Sequence, residues 1–311
     1  MSSNPCTDPR ANGSGAPLPC SSNDNCDNVI TQTDHKSGKL YSVASPIGNL
    51  GDISSRAMKI LGDVDFIAAE DTRVTGKLLR HFGIKKQLVS YHEHNSRESG
   101  EKILSRILAG EDCALITDAG TPGISDPGEN LIRICIDASV QIIGIPGPCA
   151  AVTALVLSGL PAGRFTFEGF LSTARKSRFA RLDELKSEKR TMVFYEAPHK
   201  LVRTLDDMLS VFGDRRVSIS RELTKIYEET LRCTLMDAAS HYKANPPRGE
   251  FVIVIEGAQH NTASEISLKE AADTVRSYIT MGMSMKDATG KVSGETGIPK
   301  NKLYRAAVND Q

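Results

Sequence analysis

The stretch Cys113-Ala114-Leu115-Ile116-Thr117-Asp118-Ala119-Gly120-Thr121-Pro122-Gly123-Ile124-Ser125-Asp126-Pro127-Gly128 decides the fold. Its first five residues form a short apolar or β-branched run, which predicts a buried strand over Cys113–Thr117. The remainder is too long and too polar for a tight turn, and a helix over Glu129–Ala138 follows it. A second apolar run, Gln141–Ile145, then leads into Pro146-Gly147-Pro148 and a small-residue helix over Cys149–Leu157. Strand, loop, helix and strand in this order make a βαβ unit and point to a mostly parallel sheet.

The same rhythm extends upstream. Strands are expected at Leu40–Ala44, Phe66–Ala69 and Leu88–Tyr91. Helices are expected from a cap at Asp52 through Leu61, over Thr72–Phe82 to a stop at Gly83, and over Glu98–Leu108 to a stop at Gly110. After Ser158-Gly159-Leu160-Pro161 the rhythm changes. Strands at Phe165–Phe170, Met192–Tyr195, Arg216–Ser220, Glu228–Thr234 and Phe251–Glu256 alternate with helices Lys176–Lys189 and Lys200–Phe212. The strands at 216–220 and 228–234 can pair as neighbours. Helices alone are expected beyond that, at Lys269–Thr280, Met285–Val292 and Lys300–Val308.

The organisation is therefore α/β, with two α/β domains over 39–157 and 158–260 and a small helical unit over 265–308. Residues 1–38 contain no aromatic residue and only Leu18, Val29 and Ile30 as large aliphatics, so they read as a disordered extension.

Composition narrows the function classes. Lys plus Arg is 38 and Asp plus Glu is 38, which excludes nucleic-acid binding by bulk charge but not by a local basic face. Apolar runs such as Ala150–Leu157 fall far below the roughly 18 residues of a membrane span, and no membrane partner is expected. No secretory signal pattern is present. The spacing of Cys6, Cys20, Cys26, Cys113, Cys135, Cys149 and Cys233 fits no disulfide framework, which suits reduced thiols in a cytoplasmic protein.

Three Gly/Pro-rich loops, Ala44–Asp52, Asp118–Gly128 and Pro146–Pro148, stand past strand ends, where open α/β sheets bind ligands. There is no GxxxxGK[ST], no GxGxxG after the first strand and no GxSxG, so a ligand gripped by its phosphates is not expected. No HExxH or Cys/His cluster suggests a catalytic metal. His92 and His94 alternate in a strand-like segment, where they could bind a metal but read first as a polar strand face.

These loops carry a resemblance. Ala44-Ser45-Pro46-Ile47-Gly48-Asn49-Leu50-Gly51-Asp52-Ile53, Ala69-Glu70-Asp71-Thr72-Arg73, Asp118 through Pro127 and Pro146-Gly147-Pro148-Cys149-Ala150-Ala151 come first. Phe194-Tyr195-Glu196-Ala197-Pro198-His199, Arg221-Glu222-Leu223-Thr224-Lys225 and Gly249-Glu250-Phe251-Val252 follow in the same order. The chain from Lys39 onward resembles the tetrapyrrole-methylase-like (class III) S-adenosylmethionine-dependent methyltransferases. Within them it is similar to the branch that methylates the 2′-hydroxyl of a cytidine in 16S rRNA. Gly123 stands where that pattern normally has an apolar residue.

The resemblance implies S-adenosylmethionine bent in a cleft between the two α/β domains. Its contacts would fall on Pro46, Asp118, Gly120, Ile124, Ser125, Asp126, Cys149, Ala150 and Ala151, with Tyr195 and Leu223 from the second domain. Asp118 can alternatively cap its own loop. It also implies a homodimer acting on 16S rRNA or the 30S subunit. Glu70, Asp71, Glu196, His199 and Glu222 are unranked candidates to receive the hydroxyl proton. Glu222 with Arg221 and Lys225 can equally form a structural ion-pair cluster.

For RNA, Arg73, the basic helix residues Arg175, Lys176, Arg178 and Arg181, and Lys286, Lys300, Lys302 and Arg305 of the helix-turn-helix-like unit are candidate phosphate contacts. A solvated helix face and a plain packing bundle are the alternatives. Two other functions remain open: methylation of a small tetrapyrrole, and RNA binding by an assembly factor without turnover.

Overall fold

The computed structural model describes residues 37–259 and 267–308; Cys6, Cys20, Cys26 and nearly all of the expected extension lie outside the described residues. The fold is engaged by Gly38, whose amide donates to the Ile107 carbonyl at 2.8 Å.

The first half contains β1 (Leu40–Val43), α1 (Ser55–Asp63), β2 (Phe66–Ala69), α2 (Thr72–His81), β3 (Gln87–Ser90), α3 (Ser96–Leu108), β4 (Cys113–Ile116), α4 (Gly128–Asp137), β5 (Ile142–Ile145) and α5 (Ala150–Ser158). Its strands form a parallel five-stranded sheet in the order β3-β2-β4-β1-β5. Side chains alternate across the pleat, so each face has its own core. Leu40, Phe66 and Leu115 meet Ile103, Ile107 and Leu131 on one side. Val43, Ile67 and Ile116 meet Ala57, Leu61 and Leu79 on the other.

The second half contains β6 (Phe165–Phe170), α6 (Arg175–Leu185), β7 (Thr191–Glu196), α7 (Pro198–Phe212), β8 (Arg216–Arg221), β9 (Glu229–Thr234), α8 (Leu235–Ala244) and β10 (Phe251–Ile255). Its sheet runs β6-β7-β10-β8-β9; β6 and β7 are parallel and the other pairs antiparallel. The expected pairing of β8 with β9 is present, with Arg216 opposite Thr234. One sheet face packs Phe194, Ile219 and Ile253 against Leu201, Leu205 and Leu235. The other packs Val193, Val252 and Val254 against Ala151, Ala154 and Leu155 of α5, so the last helix of the first half is seated on the second sheet. The helices α9 (Leu268–Thr280), α10 (Met285–Thr296) and α11 (Lys300–Val308) close a core of their own around Val275, Val292 and Leu303.

Four local expectations change. The cap of α1 is Ser54, whose Oγ accepts from the Ala57 amide at 3.0 Å; Asp52 instead ends a 3-10 turn capped by Asn49. His92 and His94 do not alternate on a strand. The Asn95 side chain accepts from the His92 amide at 2.8 Å and closes a 3-10 turn over Glu93–Asn95. The basic helix α6 stops at Leu185, short of Lys189. Helix α8 was not expected, although Thr234 caps it and Leu235, Ala238, Ala239 and Tyr242 repeat at helical spacing.

Candidate active site

The three Gly/Pro loops converge because their strands are neighbours. In the parallel sheet β4, β1 and β5 are adjacent, so their carboxyl ends open on one edge. From β1 the chain crosses to β2 on one side, and from β4 it crosses to β5 on the other. That reversal is the kind of switch point where α/β sheets hold ligands.

The loops are tied to one another by main chain. The Ser45 amide donates to the Gly120 carbonyl at 2.8 Å, and the Gly120 amide returns a bond to Ser45 at 3.2 Å. Thr121 Oγ1 donates to the Pro148 carbonyl at 3.1 Å. Gly120 adopts φ +89°, a backbone conformation open to glycine at no steric cost. Asp126 Oδ1 accepts from the Gly123 and Gly128 amides, both at 2.8 Å, which closes the loop on itself. Asp118 does not cap its own loop: Oδ1 accepts from the Asp71 amide at 3.1 Å.

The resulting cleft has a volume of about 480 Å³, within the range of small-molecule sites. Of the residues named from sequence, Asp118, Gly120, Ile124, Ser125, Asp126, Cys149, Ala150, Tyr195 and Leu223 line it, as do Glu70, Glu196 and Glu222. Pro46 and Ala151 stand behind the lining. Pro46 is buried, and the Ala151 amide is turned to Tyr195 Oη at 3.1 Å. Asp71 and His199 lie outside it. Lining residues that sequence reading missed include Ile47, Phe170, Ser220, Lys225, Glu250 and Val252; all but Phe170 and Ser220 sit inside the motifs quoted above. A larger but shallower depression of about 940 Å³ lies around Arg164, Arg190 and Glu256 at the other end of the second sheet. Three of its charges, Glu188, Arg190 and Glu256, are satisfied locally in the Arg190–Glu188 and Arg216–Glu256 pairs, and none of the converging loops reaches it.

The chemistry of the lining is distinctive. Its apolar part is Ile47, Ile124, Cys149, Leu223 and Val252, with Tyr195 packed against Phe167 and Phe170 at ring distances of 5.1 and 5.5 Å. Its charges are the carboxylates of Glu70, Asp118, Asp126, Glu196, Glu222 and Glu250 and one ammonium, that of Lys225. Burial pushes the Glu70 and Asp118 carboxyls above the ordinary range, and neighbouring acidic charges add to the rise. Burial likewise raises the Tyr195 phenol to about 12. Such a cleft suits a ligand that is apolar in part and cationic in part, and it disfavours a phosphate.

The proton-acceptor candidates separate. Asp71 is held by the Arg73 guanidinium at 2.7 Å, which depresses its carboxyl strongly. Glu196 is buried and bonded at both oxygens, to Thr204 Oγ1 at 2.6 Å and the Ala197 amide at 2.9 Å. His199 is exposed. Glu70 accepts from the Asp118 amide at 3.4 Å. Glu222 Oε1 accepts from Lys225 Nζ at 2.9 Å; Arg221 pairs instead with Glu229, so no three-member cluster forms.

Among the basic residues, Arg178 is corrected outright. It is 2% exposed, pairs with Asp207 at 2.7 Å and donates to the Ser172 and Thr173 carbonyls. Out of reach of an RNA phosphate, it pins the β6–α6 connection. Arg181 bridges Glu168 and Glu184. Arg73, Arg175, Lys176, Lys286, Lys300, Lys302 and Arg305 are all exposed.

Comparison with known proteins decides the family. Residues 39–239 match the tetrapyrrole (corrin/porphyrin) methylases. The chain belongs to that family. It is a methyltransferase and takes its methyl group from S-adenosylmethionine, a part-apolar cation that the lining fits. The chain is 45% identical to ribosomal RNA small subunit methyltransferase I of Synechocystis sp., over 87% of this chain and 98% of that protein. It is 47% identical to the protein of the same name from Halalkalibacterium halodurans, over 88% and 95%. A cobalt precorrin-4 methyltransferase shares the fold with a TM-score of 0.53 at 18% identity, covering 71% of this chain and 95% of its own.

Proposed function

We propose that this methyltransferase acts on the ribose 2′-hydroxyl of a cytidine in 16S rRNA, on the small ribosomal subunit, in the cytoplasm. The observation that carries this reading is the near full-length similarity to two ribosomal RNA small subunit methyltransferases. The acidic, phosphate-averse cleft supplies the cofactor half of the reading.

S-adenosylmethionine supplies a methyl group already activated by its sulfonium. What remains for the protein is to position, to exclude water and to take a proton. The loops after β1, β4 and β5 would hold the adenosine by main chain and apolar contact, and the desolvated carboxyls of Glu70 and Asp118 would face its positive charge. Leu223, Val252 and Tyr195 would seal the opposite wall. Glu222 is assigned the hydroxyl proton, at Oε2, because Lys225 occupies only Oε1, whereas Glu196 is bonded at both oxygens, Asp71 is clamped by Arg73 and Glu70 is assigned to the positive charge of the cofactor. Arg175, Lys176 and the exposed Lys286, Lys300, Lys302 and Arg305 are assigned to RNA phosphates farther out. We also assign a homodimer: Val152 and Val156, one helical turn apart on α5, are 50% and 71% exposed, and light scattering reads the mass directly.

The test is incubation with methyl-labelled cofactor and small subunits carrying unmodified rRNA, followed by digestion to nucleosides. Label on a 2′-O-methylcytidine is expected, and label confined to a base, or none, overturns the reading. Methylation of a small tetrapyrrole is the second reading, favoured by the likeness to the precorrin enzyme. A tetrapyrrole that competes for turnover while RNA does not would reinstate it. An assembly factor without turnover would still gain thermal stability from the cofactor but transfer no label.

A further inference from the structure

We infer that Lys225 is the phosphate clamp of the cleft, binding the phosphodiester beside the reacting ribose and so fixing how the strand enters. This rests on the rRNA reading above and assigns the step that reading leaves open. A wall of carboxylates that welcomes a cationic cofactor repels a polyanion, so a strand brought to Glu222 and Glu250 needs a compensating charge. Among the described lining residues only Lys225 carries one.

The loop between β8 and β9 is built around that side chain. Glu222 and Thr224 are held at φ 50° and 67°, a left-handed conformation uncommon outside glycine and costly enough to need a surrounding structure that enforces it. Enforcement comes from the Thr224 amide, which donates to Glu228 Oε2 at 2.6 Å, and from the Lys225 amide, which donates to the Glu222 carbonyl at 3.0 Å. The stem of Lys225 lies against Gly48 in the loop after β1. A Cβ on Gly48 would stand 2.5 Å from Lys225 Cγ and 2.9 Å from Cε, and Gly48 itself has φ +152°. The stem is thus fixed from across the cleft.

Its head is not used up. The side chain is 40% exposed, and of the three ammonium donors one is given to Glu222. An ordinary surface pair between residues three apart, such as Arg181 with Glu184 or Arg276 with Asp273, sits on a relaxed helix. The Glu222–Lys225 pair instead sits on strained backbone at a ligand cleft, facing a glycine that makes room for it.

Two variants test this. Lys225→Met keeps the stem against Gly48 and removes the charge, whereas Lys225→Arg keeps the charge. Binding of small subunits reconstituted with transcribed 16S rRNA is measured between about 50 and 200 mM salt, with cofactor affinity measured separately by calorimetry. For Lys225→Met the expected result is about five- to tenfold weaker subunit binding at low salt and a salt dependence shallower by about one. Lys225→Arg should restore both to within about twofold, and cofactor affinity should hold in both variants. An unchanged salt dependence in Lys225→Met, or a loss that Lys225→Arg leaves unrepaired, overturns the clamp. A wild-type protein that binds cofactor yet neither binds nor methylates the subunit overturns the proposed function itself, and the clamp with it. Normal wild-type methylation with an unaffected Lys225→Met overturns the clamp alone.

Discussion

The two walls of the cleft are made in different ways. The wall from the first sheet is built on main chain: the loops after β1, β4 and β5 exchange backbone hydrogen bonds, Gly120 takes φ +89°, and the carboxylates of Glu70, Asp118 and Asp126 are set among them. The wall from the second sheet is side chains, Tyr195, Glu222, Leu223 and Lys225, and its unusual backbone is borne by Glu222 and Thr224 as well as by glycines such as Gly249. A main-chain wall holds a ligand by shape and tolerates little change. A side-chain wall adds proton chemistry, and the only ammonium among the described lining residues, on a backbone under strain.

The largest effect should come from the second wall. Glu222→Gln is expected to lower the methyl-transfer rate by about a hundredfold or more while leaving cofactor and subunit affinity intact. Single-turnover rates beside equilibrium binding read the split, and a wild-type rate would return Glu222 to a purely structural pair with Lys225. On the first wall, Gly120→Val should weaken cofactor binding at least about tenfold. Here the cause is the backbone: a Cβ would meet Ile47 and Pro148 only at 3.6 and 3.9 Å, ordinary contacts, but φ +89° strains a β-branched residue by about 1–3 kcal/mol. Calorimetry with the cofactor and a thermal melt together test it, and a variant with unchanged affinity would mean that the loop does not grip the ligand.

Thr224→Gly sharpens the comparison with a change of opposite sign. It releases left-handed strain and removes a buried hydroxyl that has no partner among the described residues, at the expense of extra freedom in the unfolded chain. A net gain of up to about 1 kcal/mol is expected in denaturant titration, with slower methyl transfer as the loop loosens. The smallest effect concerns Tyr195. Its phenol is raised to about 12 by burial, so its contribution to stability is complete below pH about 10, where an unfolded tyrosine begins to ionise, and is lost as pH climbs toward 12. Tyr195→Phe should flatten that alkaline decline, and melts between pH 9 and about 12 would reveal an unchanged slope if the phenol is not buried in solution.

The same contrast explains what was legible in the sequence. Glycine and proline record backbone geometry in residue identity, so the Asp118–Gly128 loop announced itself, and the parallel sheet followed from the strands on either side. Nothing in Glu222 or Thr224 as letters signals a positive φ, because tertiary contacts impose it. Lys225 was visible as a motif residue and as a possible ion-pair partner of Glu222, not as a lining residue of the cleft. Arg178 shows the reverse failure: surrounded by Arg175, Lys176 and Arg181 it reads as part of a basic face, but its register on α6 turns it inward to Asp207. Helix α8 was legible in principle, in the Thr234 cap and the helical spacing of Leu235, Ala238, Ala239 and Tyr242, but its ten residues lie between two strands with stronger patterns.

Helix α5 carries one more consequence. It begins at the rim of the ligand cleft, beside Cys149, and buries Ala151, Ala154 and Leu155 in the face of the other sheet. Swinging the halves apart like a jaw would drag those residues into water, so parting the two sheets to exchange spent donor for fresh would carry the cost of exposing that helix face.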